Sequence, residues 1–510
     1  MARINSNISS LIARANLNRA NQDLETRLQR LATGVKINRG ADNPAGLIIS
    51  ERLRSEIAGA NQAISNSQRA SSVIATAEGS LSEVADLLNS IRGLVVEAAN
   101  TGGLSDEERA ANQLQIDSAI ESITRISNTA SFGGLKLLNG SLDYVLSGLQ
   151  SNAISKAQVY SANFAGQSNI KVDVNVISSA QVASLFLSGG ATGVITSTTT
   201  LEIAGALGVQ VLEFEVGRPL SEVVAGINSF KAATGVSAAL INPSDPSSGV
   251  RFMSTEYGSK SFVSIKRLGG PPGGGYFKTF ELPASAAIPG TISFSDTAFT
   301  SLLSQSNRDE GRNVTAIVNG VVGNGDGLKI SLQNSTALSL EMILQESFAT
   351  TNGSSSTFRI TGGGALYQLG SEITTNLQTN IGIQSVAASR LGGTLINGSL
   401  QFLSSLRSGG TNDLSSGNFS NASAVLTSAL DEISVLRGRL GAFEKNTLQT
   451  NVRSLQAAVE NLTSSESRIR DADFAEETSS LTRAQILTSA GTSVLGLANQ
   501  QAQQVLQLLG

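Results

Sequence analysis

The sequence predicts a mostly helical chain with a β-rich insertion: long antiparallel and coiled-coil helices drawn from both chain ends, and a central α+β or β outer domain. Three observations predict it. Apolar residues recur at helical spacing from Ile4 to about Ser127 and again from Asn421 to the end. The middle, roughly 145–410, is instead rich in Gly, Ser and Thr and carries short β-type runs. Finally, a helix of about 40 residues with a leucine seam cannot bury that seam alone, so the two ends need each other or a further partner.

The first helix runs to Val35. Leu17, Leu24 and Leu31 lie seven apart, and Leu28 and Val35 form a second row in which Asn21 is the one polar occupant, the pattern of a coiled-coil seam. GVKINRGADNPAG then breaks it with Gly34, Gly40, Pro44 and Gly46. A second helix from about Leu47 to Asn100 carries Leu53, Ala60, Ser67, Ile74, Leu81, Leu88 and Val95 on one heptad row, giving a rod on the order of 70–80 Å at about 1.5 Å per residue. Ile57, Ile64 and Ser71 make another row. In TGGLSDEE, Ser105 followed by Glu108 reads as a capping box opening a third helix with Ile116, Ile120, Ile123 and Ser127 on one face.

In the middle, TLEIAG, VLEFEVG, SEVVAGINSFKAATG and VSAALI read as a ββαβ unit, and 188–356 as a separate β-rich domain. TFRITGGGALYQLG reads as hairpin-like. From Asn421 to about Arg470, Leu426, Leu430, Ile433, Leu440, Leu448, Val452, Leu455, Val459 and Leu462 make a long amphipathic rod. The last segment, from Phe474, puts Leu487, Val494, Gln501 and Leu508 on one row with Ala498 and Val505 beside it, and Gln500, Gln503, Gln504 and Gln507 form an uncharged polar stripe.

Composition narrows the function. The 510 residues are 40% hydrophobic, 15% charged and 4% aromatic, with a net charge of −4, so there is no basic footprint for nucleic acid and no polybasic segment for an anionic membrane. Neither Cys nor His occurs, which removes thiol nucleophiles, Ser-His-Asp triads and His-ligated zinc. Carboxylate pairs such as Asp309 with Glu310 or Asp471 with Asp473 read as solvated or helix-end charge. No enzyme, metal site or cofactor is expected. The first residues lack a signal-peptide core and no run of about 18 apolar residues is present, so the residues alone read as cytoplasmic. Pairing of the terminal helices buries leucines at roughly 1.5–3 kcal/mol each, yet two helices leave apolar surface uncovered, which points to lateral self-association. A head-to-tail contact of that kind generates an open helical filament.

Specific strings sharpen this. MARINSNISSL, LQRLATGVKINRGADNPAG and GLIISERLRSEI at the start, FGGLKLLNG near 135, and SRIRDADFAEETSSLTRAQILTSAGTSVLGLANQQAQQVLQLLG at the end resemble bacterial flagellins, over about 140 residues at one end and 100 at the other. The ββαβ unit is similar to a small repeat of flagellin outer domains. The resemblance implies an inner coiled-coil domain, 1–43 with 471–510, lining a filament channel; a long-helix tube domain with β-hairpins, 44–187 with 357–470; and a variable surface-exposed outer domain, 188–356. It implies a structural subunit that polymerises into the extracellular flagellar filament after unfolded export through the flagellar type III apparatus, which needs no cleaved signal. A hook-filament junction protein shares the terminal architecture and is the alternative.

The spacing singles out a self-assembly stripe of Leu17, Leu24, Leu28, Leu31, Val35, Leu487, Val494, Ala498, Val505 and Leu508, and the resemblance gives Gln500, Gln503, Gln504 and Gln507 as a channel lining. The implied partners are further copies of the chain, an export chaperone on the C-terminal helix, and hook-associated junction and cap proteins. LLNSIRGLVVEAAN matches a segment read by an innate immune receptor through Leu88, Ile91, Arg92 and Leu94, but Ser90 and Gly93 stand where strongly recognised flagellins carry Arg and Glu. Weak or absent receptor activation is therefore expected. Asn313 and Asn334 sit in Asn-x-Ser/Thr strings, which a Ser/Thr-rich chain produces by chance.

Overall fold

The computed structural model describes residues 7–507 apart from 165, 189–191, 270–277, 283–291, 295, 335–337 and 397. Seven helices of eight or more residues are found among them: α1 Ile8–Thr33, α2 Pro44–Ala98, α3 Asp106–Thr129, α4 Leu220–Ser229, α5 Phe419–Phe443, α6 Gln449–Arg470 and α7 Phe474–Gln507. Among the described residues no helix is long and apolar enough to cross a membrane. The chain divides into two compact units: 1–71 with 368–378 and 444–510, and 72–367 with 379–443. α2 supplies residues to both.

In the first unit, α1 begins at Asn7, whose side chain accepts from Ser10 N, and ends at Gly34 in the left-handed conformation (φ 72°) with its N–H on the Arg30 carbonyl. That is the helix stop glycine supplies without strain. α1 runs antiparallel to α7. The start of α2 carries a seam of small residues, Ala60, Ala63, Ser67 and Ala70, all under 5% exposed. Asn451 on α6 donates to Ser67 Oγ at 3.2 Å and to the Leu369 carbonyl at 2.8 Å. Arg54–Glu466 (3.3 Å) and Arg470–Glu51 (3.0 Å) add two ion pairs.

The C-terminal rod is interrupted. Between α5 and α6, Glu444–Leu448 forms a π turn, a wider turn that is rare and occurs mostly as a single-turn bulge within an α-helix. Here Ser71 Oγ donates to the Glu444 carboxylate and Leu448 is buried.

In the second unit α2 buries the expected row Ile74, Leu81, Leu88 and Val95, and with it a companion row Ala77, Val84, Ile91 and Ala98, every one at 2% exposure or less. α3 is closed by the Ser105–Glu108 capping box and buries Ile116, Ile120, Ile123 and Ser127; α5 buries Val425, Leu426, Ala429, Ile433, Leu436 and Leu440. The heptad pattern thus becomes helical core, as periodicity dictates.

Two β cores follow. One joins a five-stranded sheet, in the order Val321–Val322, Thr315–Val318, Ile170–Ser178, Ser355–Gly363, Tyr144–Ser147, to a four-stranded sheet, Asn324–Asp326, Lys329–Asn334, Leu338–Leu344, Ile154–Ala162. Alternating residues such as Val172, Val174 and Val176 fill the space between them. The other core contains the ββαβ unit: Thr199–Gly205 pairs with Gly208–Phe214, α4 lays Leu220, Val223 and Ile227 inward, and Val236–Asn242 returns beside Asp245–Ser254. Leu201, Ile203, Phe252 and Val263 complete it.

Two expectations are drawn differently by these pairings. The strands of 188–356 do not form a closed set, because Thr315–Val318 pairs with Ile170–Ser178 and Leu338–Leu344 with Ile154–Ala162. And TFRITGGGALYQLG is not a hairpin on itself: Ser355–Gly363 pairs with Tyr144–Ser147 and Ile170–Ser178, whereas Ala365–Gln368 pairs with Gln378–Ile381. Gly363 and Gly364, at φ 91° and 79°, redirect the chain between the two sheets. A Cβ at Gly363 would collide with the Asp143 carbonyl oxygen, so only glycine fits there.

Candidate assembly surface

The α1–α7 pair is held by one row of α7. Glu477, Ala484, Gly491 and Ala498 are seven apart, and Glu477, Ala484 and Ala498 are 4%, 1% and 8% exposed. Each level of the row has a contact or burial that fixes it. Arg27 Nη1 donates to Glu477 Oε2 at 2.9 Å and Arg30 Nη1 to Glu477 Oε1 at 3.1 Å; Leu17 packs on Gly491; Asn7 Nδ2 donates to the Ala498 carbonyl at 2.9 Å. Beyond Glu477 the connection closes with backbone bonds, Lys36 N to the Arg470 carbonyl (2.6 Å) and Ala472 N to the Gly34 carbonyl (3.0 Å). Burial opposes ionisation of Glu477, but the hydrogen bonds and charges of Arg27 and Arg30 outweigh it and hold its carboxyl below the ordinary range.

Small residues at the contact leave the large ones outside. Leu487 and Val494 stand beside the row and remain 51% and 53% exposed. Leu17, Leu24, Leu31 and Val35 are half-buried, and Leu28 is 50% exposed. Ile8, Leu11, Ile12, Ile486 and Leu497 are each more than half exposed. A groove of ≈ 510 Å³ runs between the helices, with Leu487 and Val494 on one wall and Asn16, Arg19 and Asp23 on the other. So large a share of exposed aliphatic side chain on one helix pair is the mark of a surface made to be covered.

Gln500, Gln503 and Gln504 are exposed on α7. Leu508 and the side chains of Val505 and Gln507 lie outside the described residues. In the second unit, Leu88 and Ile91 are fully buried, Leu94 is half-buried and Arg92 alone of the four is exposed. The carboxylates behave as structural groups. Asp309, its pKa raised by burial, accepts from Ser184 N at 2.6 Å, and among the described residues no His, Cys, Asp and Glu cluster that could hold a metal occurs. Asn313 is also structural: its Oδ1 accepts from Ser259 N and Gly327 N at 2.9 Å each, and its Nδ2 donates to Ser259 Oγ. The side chain of Asn334 lies outside the described ones. Sequence reasoning missed Glu477, Arg27 and Arg30; the available signal was a carboxylate on the heptad row of Ala484, Gly491 and Ala498.

The sequences of these terminal helices are shared with known proteins. A family model of the bacterial flagellin N-terminal helical region matches residues 4–143, and one of the C-terminal helical region matches 424–509. The chain is 31% identical over 522 residues to a B-type flagellin of Pseudomonas aeruginosa, covering 99% of each. It is 26% identical to flagellin B of Vibrio anguillarum and 27% to a flagellin of Salmonella typhimurium, again covering 99% of each chain. Among solved structures, the flagellar hook associated protein-3 of Legionella pneumophila is 13% identical at a TM-score of 0.29, covering 82% of this chain and 98% of that one. Full-length similarity at this level, with both helical ends in order, makes the chain a member of the bacterial flagellin family.

Proposed function

We propose that the chain is a non-enzymatic structural subunit that polymerises helically into the extracellular flagellar filament, for swimming, through its paired terminal helices. The observation that carries this reading is the half-exposed row of Leu28, Leu487, Val494 and their neighbours on a helix pair whose mutual contact uses mainly small side chains. Residues 1–43 with 471–510 then form the inner domain, 44–187 with 357–470 the tube domain and 188–356 the outer domain, with strand pairing tying 154–178 to the outer part. The stripe of Leu17, Leu24, Leu28, Leu31, Val35, Leu487, Val494, Ala498, Val505 and Leu508 divides its work between the helix pair and neighbouring copies.

Export unfolded through the flagellar type III apparatus suits a chain with no cysteine to cross-link it. Before assembly the exposed apolar face of α7 needs a cover, which the export chaperone supplies; in the finished organelle, junction and cap proteins meet the same terminal helices. Gln500, Gln503, Gln504 and Gln507 give a neutral wall to the channel. The experiment is electron microscopy after a polymerising salt shift, on the full chain and on a variant lacking 1–43 and 471–510. Filaments from the first and none from the second are expected. A full chain that only caps preformed filaments would overturn the reading.

A further inference from the structure

α1 and α7 meet through rows that repeat every seven residues on both sides. α1 offers Leu17, Leu24 and Leu31, and α7 offers Ala484, Gly491 and Ala498. A seven-residue slide that brings Leu17 to Ala498 sets Leu24 against Gly491 and Leu31 against Ala484, so in that direction the apolar seam discriminates poorly between registers; the opposite slide brings Leu24 to Glu477. Among the other polar contacts, the backbone bonds at the junction favour the native register but read no side chain. Asn7 bonds a backbone carbonyl, and the Lys36–Arg470 and Ala472–Gly34 bonds are backbone to backbone, so they carry no side-chain code. Ser10 Oγ to Asn499 Oδ1, at 2.8 Å, is exposed to water.

Glu477 is different. It is the one charged member of the α7 row and is 4% exposed, with its two oxygens taken separately by Arg27 and Arg30. Arg27 is steered toward it by Asp23, which accepts from Arg27 Nε at 3.2 Å. A slide of seven residues in one direction brings Glu477 level with Ala20 and Asp23, acid beside acid. In the other direction it passes Thr33, where α1 has ended. Either slide leaves a carboxylate without its cations, which a nearly buried charge does not tolerate. We infer that Glu477, gripped by Arg27 and Arg30, is the residue that sets the register of the terminal helix pair. It is a positioning residue: subunit contacts are made by the apolar side chains, and Glu477 decides which of those on α1 and α7 lie level with one another. Only its consequence for filament growth rests on the function proposed above.

Disulfide trapping tests this directly, because the chain has no cysteine of its own. A Cβ at Gly491 lies 3.6 Å from the Leu17 Cβ, within the ~3.5–4.5 Å of a disulfide. Leu17→Cys with Gly491→Cys reports the native register, and Leu17→Cys with Ala484→Cys or Ala498→Cys reports the two slides. Each is oxidised in the full-length soluble chain and again after polymerisation, and intramolecular bonds are separated from intermolecular ones by gel mobility. The native pair is expected to close and the slid pairs not to. Glu477→Gln should reduce that selectivity roughly tenfold, the scale of a charge-assisted hydrogen bond. Glu477→Arg combined with Arg27→Glu and Arg30→Glu should restore it, which a role in packing alone would not produce. Undiminished selectivity in Glu477→Gln, or no rescue by the exchange, overturns the assignment. A chain that traps selectively but never forms filaments overturns the filament reading and leaves this one standing.

Discussion

Replacing Ile91 with Ala removes three carbons from a side chain that is 0% exposed in the second unit, where it belongs to the companion row of α2. Neighbours on the same row, Val84 and Ala98, are equally enclosed, so little collapse is available to fill the gap. Transfer and cavity terms for such a truncation amount to about 2–5 kcal/mol; with poor relaxation we expect about 3 kcal/mol. For a body of more than 200 residues that is a fall in Tm of roughly 5–10 °C. Arg92, one position on and exposed, should change stability by less than about 0.5 kcal/mol when cut to Ala. The chain has no Trp, so thermal unfolding followed by far-UV circular dichroism is the suitable assay. An Ile91→Ala protein melting with the parent would show that the row is not packed in solution, and would refute the placement of Leu88 and Ile91 in the core rather than at a receptor contact.

Other outcomes rest on the same geometry. Ser90→Arg with Gly93→Glu should raise activation of the innate receptor in a reporter-cell assay without loss of stability. Ser90 is exposed, and a Cβ at Gly93 meets nothing within 4 Å. Gly363→Ala should cost about 1–3 kcal/mol from backbone strain, and more from its clash with the Asp143 carbonyl; denaturant unfolding checks it. Acid should separate the two ends before it melts the β-rich part. Glu477 has a lowered pKa, so its stabilisation is complete above the unfolded value of about 4.3 and is lost as pH falls through the folded one. Asp143 and Asp309 are raised by burial, so their contribution has the opposite sign and favours the fold on acidification through the same region. Hydrogen exchange of α7 against the strands between pH 3 and 5 reads the difference, and Glu477→Gln should flatten the α7 response. Charged substitutions at Gln500, Gln503 and Gln504 should slow filament growth; unchanged growth rates would remove the channel-wall role.

What could be read from the residues depended on side-chain size. Leu81, Leu88 and Val95 announced the α2 core because large aliphatics repeated seven apart on a helix are rarely left in water. Their companions Ala63, Ala70 and Ala77 are as buried, but alanine suits any helix face and carries no such signal. On α7 the same bias hid the contact row: Leu487 and Val494 stood out in the sequence, whereas Ala484, Gly491 and Ala498, which lie at the contact, carry no such signal. The sheets were hardest. Thr315–Val318 finds its partner in Ile170–Ser178, and no periodicity within either strand says which distant strand it will join.

The use of small side chains at the α1–α7 contact has a thermodynamic consequence. A helix pair that keeps its bulkiest aliphatics half in water folds with little free energy to spare, so its order depends on what else binds those faces. In the proposed filament, a copy that covered Leu487 or Val494 would favour the paired form over the frayed one by mass action. In that assembly, folding of the chain termini and growth of the polymer are two readings of a single equilibrium.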